Sequence, residues 1–106
     1  MTFINCTPHP INLVGQDGSV NTLPKGEVVP RLSQSNKIVD VVDGVSITET
    51  QFGDIQDMPE PKDGVLYIVS RLVLSAAKGR NDLVVPNELV RDDNGNIVGC
   101  KSLARN

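Results

Sequence analysis

The chain has 106 residues and a net charge of −3, the size of one domain with a single modest core. It has no run of lysine or arginine to neutralise phosphates and only three aromatic residues, a composition that argues against nucleic-acid binding. The longest apolar runs, "GVLYIVS" and "LVVP", fall far short of a membrane span. No charged stretch followed by an apolar core opens the chain, so no signal peptide is read and a cytoplasmic location is expected. Valine, isoleucine and leucine supply nearly all the apolar side chains. Their stiff, branched members suit a pleated surface, and scattered glycine and proline add turns, so strands are expected to dominate.

In chain order, Ile11–Val14 and "VNTLP" form the arms of a first hairpin turned by "GQDGS", where Asp17-Gly18 supplies the positive φ that tight turns need. "EVVPRLSQ" starts a further strand. Pro30 inside it has no N–H to give, which predicts an edge or bulged position. "KIVDVVDGVSITETQ" reads as a second hairpin with Asp43-Gly44 at its tip and Ile38, Val42, Val45 and Ile47 on its arms. The thirteen residues "FGDIQDMPEPKDG" read as a loop, long enough to favour a functional role.

"VLYIVS" is nearly continuous in apolar residues, the pattern of a strand buried on both faces. It leads into a helix of about two turns. Ser70 is its N-cap, Leu72, Val73, Ala76 and Ala77 its apolar stripe, and Lys78-Gly79 its stop. "DLVVP" is another buried strand. "LVRDDNGNIVGCKSL" closes the pattern as a hairpin turned at Asn94-Gly95. The expected fold is therefore mainly β (α+β): one domain, 1–106, of hairpins in a compact antiparallel, barrel-like sheet with one short helix.

Chemistry-bearing patterns are few. Cys6 and Cys100 belong to no C-x-x-C pair, and with one histidine they make no zinc set. Two free, buried thiols are expected in a reducing compartment. "DDNGN" fails the full calcium-loop spacing and reads as turn chemistry. Neither common phosphate loop is present, nor any motif that would activate a serine. No catalytic residue, metal site or cofactor is therefore assigned.

Two candidate ligand-binding regions remain. His9 stands between two prolines that stiffen the backbone on both sides, and Thr7 shares that segment. In "YIVSRLVLSAAKGRND", a strand runs straight into a helix start. Ser70 and Arg71 there could hold phosphate or carboxylate, with Arg80, Asn81 and Asp82 on the loop beyond. Each region also has a plain structural reading: a rigid strand connection at His9, and an N-cap with solvated arginines at Ser70. "DMPEPKDG" reads either as a connector or as a polyproline-like recognition segment.

Taken together, "TPHPINLV", "LPKGEVVPRL", "MPEPKDGVLYIVS", "GRNDLVVP" and "VRDDNGNIVGC" resemble a family of small bacterial and bacteriophage proteins without an assigned activity, over nearly the whole chain. That resemblance implies an accessory protein acting on host machinery. Two readings of the residues are carried forward. In one, the chain is a non-catalytic binding protein, a homo-oligomer that holds a small anionic, nucleotide-like ligand and sequesters a host signal. In the other, it is a module that docks on a host or phage protein. A third, lower-ranked reading is a small hydrolase using His9 with loop carboxylates. Neither nucleic acid nor membrane is an expected partner.

Overall fold

In a computed structural model that describes residues 1–105, the chain forms eight strands and one helix. The strands are β1 (Thr2–Asn5), β2 (Ile11–Val14), β3 (Val20–Leu23), β4 (Arg31–Val42), β5 (Val45–Gln56), β6 (Val65–Ile68), β7 (Leu83–Arg91) and β8 (Ile97–Ala104). Helix α1 spans Arg71–Ala76. Six strands make one sheet in the order β1-β6-β7-β8-β2-β3, while β4 and β5 pair only with each other. The mainly β, nearly closed barrel-like fold with one short helix matches the sequence reading.

The sheet is mixed rather than antiparallel, because β1–β6, β6–β7 and β2–β8 are parallel ladders. Parallel neighbours need long crossovers, and these set the topology. β1 pairs with β6 across the whole β2–β5 stretch, and β2 pairs with β8 across nearly the full chain. The hairpins of the sheet, β2–β3 and β7–β8, are antiparallel as their turns require. Gly18 (φ 84°) and Gly95 (φ 82°) hold the positive φ of those turns. Strand β1 was not expected from the sequence; its four residues lack alternation and gain strand identity only by lying beside β6.

Two apolar clusters sit on opposite faces of the central strands. Alternation along β6 and β7 divides them: Tyr67, Val69, Leu83 and Val85 meet Val73, Leu74 and Ala77 of the helix segment. Ile68 and Val84 face the other way, toward Ile11 and Cys100. Burial on both faces is what the unbroken apolar runs of β6 and β7 imply. The helix stripe differs by one position from the sequence reading. Val73, Leu74 and Ala77 are buried, whereas Leu72 and Ala76 are exposed.

The barrel is drawn together at one end by Asn5, the one buried polar side chain among the described residues. Its Nδ2 donates to the carbonyls of His9 (2.8 Å) and Pro24 (2.9 Å). Its Oδ1 accepts from the Thr7 N–H (2.9 Å) and the Thr7 hydroxyl (2.6 Å). Two donors and two lone pairs are the whole capacity of a side-chain amide, so every one of its bonds is made. Because Pro24 follows β3 and Asn5 ends β1, this side chain bridges the two edges of the sheet. The Gly26 N–H adds a bond to the Thr7 carbonyl at 2.8 Å. A Cβ on Gly26 would fall on the Asn5 carbonyl oxygen and lie 3.0 Å from the Cys6 Cα, so the approach requires glycine.

Two segments differ from the sequence reading. Pro30 precedes β4 instead of interrupting it, and it is buried, although β4 does lie at an edge, with β5 alone beside it and two register shifts along it. Phe52 to Gln56 continue β5, so the loop shrinks to residues 57–64. The β4–β5 hairpin is twelve residues on each arm and projects from the body. The Cα radius of gyration is 16.9 Å, against about 13 Å for a compact chain of this length.

Removing the Asn5 amide leaves the Pro24 carbonyl and the Thr7 N–H without their partner, while the His9 carbonyl keeps the Thr7 hydroxyl, at about 1–3 kcal/mol for each group that stays buried. Asn5→Leu is expected to lower unfolding free energy by at least about 2 kcal/mol, and Gly26→Ala to destabilise through the forced backbone shift. Denaturant unfolding checks both. Wild-type midpoints would show that the barrel end does not depend on this junction.

Candidate functional site

Strand lengths create the principal groove. β6 stops at Ile68 and the chain turns away into α1, while β7 continues to Arg91. The last bond from the β6 side to β7 is Val69 N–H to the Val84 carbonyl, 2.9 Å. Beyond it β7 has lost that neighbour, which is why Pro86, with no N–H to offer, is accommodated there. Across the resulting gap stands the Thr7–Asn12 segment, held by Asn5. The groove between them has a volume of about 740 Å³, within the range of small-molecule sites.

Thr7, His9, Ser70 and Arg71, drawn from two distant stretches of sequence, all line this groove. Pro8, Pro10, Val69 and Pro86 give it apolar walls, and Leu89, Ile97 and Val98 extend them along β7 and β8. His9 is exposed, and only its backbone carbonyl is committed, accepting from Asn5 and, at 3.1 Å, from the Thr7 hydroxyl. Its imidazole is free to meet a ligand. Thr7 turns its hydroxyl hydrogen inward, so its first task is to complete the Asn5 junction.

Ser70 is the N-cap expected from sequence, its Oγ accepting from the Val73 N–H at 3.3 Å. The helix that follows has only six residues, too short for its dipole to matter much beyond the cap. The electrostatic weight at this end therefore lies in Arg71. Its guanidinium is exposed and makes one long contact, 3.4 Å, to the Asn87 side-chain oxygen. Near it, Glu88 has φ 49° in the middle of β7, a left-handed conformation costly for a residue with a Cβ. Strand β7 is thus locally contorted between Pro86 and Leu89, both of which line the groove.

Arg80, Asn81 and Asp82 are not part of this groove. Arg80 and Asp82 form a forked ion pair, Nε to Oδ1 at 2.7 Å and Nη2 to Oδ2 at 2.8 Å. Nη2 also donates to the Pro59 carbonyl at 3.1 Å, while the Tyr67 hydroxyl donates to the Glu60 carbonyl at 2.9 Å. These bonds pin the "DMPEPKDG" loop to the body, and Met58 packs on the core. Asn81 is exposed between the paired residues. The hydrogen bond to Arg80 holds the Asp82 carboxyl below its ordinary value of 3.8, and the same bond raises Arg80.

Both cysteines are free and buried, and they lie in the two different core clusters. Burial pushes both thiols up from their ordinary value. Among the described residues, no group of three or more His, Cys, Asp or Glu could hold a metal ion. No helix there is long and apolar enough to cross a membrane.

The class defined by fold and site is a mixed, barrel-like β domain with an open, mostly apolar groove whose rim carries one imidazole and one guanidinium. No protein-family model, curated protein or solved structure matches the chain.

The Arg80–Asp82 pair makes a pH-dependent contribution. With the native Asp82 value depressed, the stabilisation is complete above the unfolded carboxylate value and lost as pH falls through the lower native one. Asp82→Asn is expected to cost about 1–2 kcal/mol near neutrality. The Tm difference from wild type should hold constant between pH 5 and 8 and shrink below about pH 4. A difference that persists unchanged into acid would assign the effect to packing instead. For the thiols, a disulfide reagent at neutral pH should label neither Cys6 nor Cys100 until denaturant opens the barrel, since the reactive thiolate is suppressed and enclosed. Rapid labelling of the folded protein would contradict that placement.

Proposed function

We propose that the protein is a non-catalytic binding protein whose groove holds a small anionic, nucleotide-like ligand. One observation carries the reading: the fold gathers His9 and Arg71, with Thr7 and Ser70, around one apolar-walled groove of about 740 Å³. Arg71 supplies a planar fork for a phosphate or carboxylate. His9, held by prolines and by the Asn5 junction, presents a ring to a base or to a second anionic group. The proline and aliphatic walls suit the flat, less polar part of such a molecule. The groove lining holds no carboxylate, and the Ser70 hydroxyl oxygen is engaged by the Val73 N–H, which favours holding over turnover. A binder of this kind would act by sequestration, in keeping with the phage-type accessory role that the sequence resemblance implies.

The test is a thermal-shift panel of mononucleotides, cyclic dinucleotides, adenine dinucleotides and inorganic phosphate. A ligand that binds only the native state raises Tm in proportion to the logarithm of its concentration over Kd. One nucleotide-like compound is expected to do so. Arg71→Ala should weaken it about tenfold or more, the weight of one charge-assisted hydrogen bond. The Tm without ligand should stay near wild type, because Arg71 is exposed. A flat response across the panel would overturn the proposal.

A further inference from the structure

The β4–β5 arm is the part of the molecule that the groove does not use. Every residue from 33 to 54 is exposed, and neither strand has a neighbour besides the other. An isolated two-stranded hairpin is at best marginal in water and needs a third strand or a packed face. Only the base of this arm has one, where Ile55 meets the core cluster beside Met58.

The outer half also carries large apolar side chains on both faces. Val42 lies opposite Val45, and alternation puts Ile47 on the same face. Val41 points to the other face, joined across the irregularity between Ile38 and Asp40 by Ile38. Ile38 is 61% exposed and Val45 63%. Asp40 shares the face of Val42 and Ile47, and Ser46 and Thr48 share the other, yet six large aliphatic side chains, Ile38, Val39, Val41, Val42, Val45 and Ile47, stand exposed together, which monomeric soluble proteins seldom leave in water. The strip also has two free strand edges running its full length, the arrangement that invites further pairing.

We infer that this arm is a self-association surface, covered in solution by the arm of a second copy of the same chain. The occupant follows from size and composition. The arm is ~40 Å long at about 3.3 Å per residue, and its apolar outer half, residues 38–47, spans about 17 Å of that. The body offers only shorter strands and grooves, whereas another β4–β5 arm matches it in length and in apolar content. A two-fold axis with the arms antiparallel sends the two Asp43 tips to opposite ends, so the like charges stay apart. With the outer halves alone overlapping, about six residues from each tip, Lys37, the arm's one cation beyond its base, faces the Asp43 tip of the other copy. Symmetric pairing of this kind is the commonest form of oligomer. The inference stands apart from the ligand proposal, since arm and groove share no residue.

The test combines native mass spectrometry with hydrogen exchange. Wild-type protein is expected to show an even multiple of 11.4 kDa, with slow exchange at amides of residues 38–48. The double variant Val41→Lys, Val45→Lys should be monomeric at the same concentration, with exchange in its arm at least tenfold faster. Slow exchange at Leu83, Val84 and Val85 in the variant would show that the body remains folded. A wild-type monomer at about 100 µM with unprotected arm amides would overturn the inference. So would an oligomer that survives both lysines, or an arm protected only when a different protein is bound.

Discussion

The body of the molecule depends on one uncharged side chain. A six-stranded sheet that starts at β1 and ends at β3 has two open edges, and open edges splay unless something joins them. Asn5 supplies the join. Its amide reaches the carbonyl after β3 and the two ends of the Thr7–His9 turn with the full complement of bonds it can make. Once the junction forms, the backbone of the His9 segment has little freedom left. The two flanking prolines restrict φ, and the His9 carbonyl is held from inside. Order at the groove rim is thus a by-product of closing the barrel.

The groove has a second parent in the unequal lengths of β6 and β7. Had β6 run on beside β7, that side would be covered and Pro86 would break a ladder. Because the chain leaves the sheet at Val69, the Ser70 cap and Arg71 arrive at the uncovered half of β7 without a long loop. The Arg80–Asp82 fork serves this geometry indirectly, since it ties down the segment that brings the chain into β6. Charged residues near a groove therefore divide into two kinds here. Arg71 stays solvated and available, while Arg80 is consumed by its own carboxylate and by a backbone carbonyl.

Local signals in the sequence specified the local elements. Asp17-Gly18, Asp43-Gly44 and Asn94-Gly95 each marked a hairpin because positive φ at a turn is a property of the residues themselves. The buried runs of β6 and β7 and the Ser70 cap were legible for the same reason. Parallel pairing was not, since nothing in "TFIN" names a partner sixty residues away, and the antiparallel expectation came from hairpins alone. The helix stripe slipped by one position because six residues make too little of a period to choose between Leu72 and Leu74. His9 and Arg71 were both singled out from sequence, yet their common groove is a product of topology. Asn5 lies outside every pattern read from the sequence. A signal was available in Asn-x-Thr at a chain reversal, where an amide oxygen can take the N–H and the hydroxyl two residues on. Many exposed turns carry the same pattern.

Strand order has a consequence for how this chain reaches its final state. β8, the last strand formed along the sequence, lies inside the sheet between β7 and β2. The β2–β3 hairpin, although made early, cannot join the sheet until residues near 100 are in place, and β1 must likewise wait for β6. Contacts of such long sequence separation slow folding, because loop closure has to precede the contacts that reward it. The β4–β5 ribbon, by contrast, needs only its own turn. Synthesis would then present an extended, valine-rich ribbon well before the body is complete. That order makes aggregation of nascent chains the hazard this topology carries.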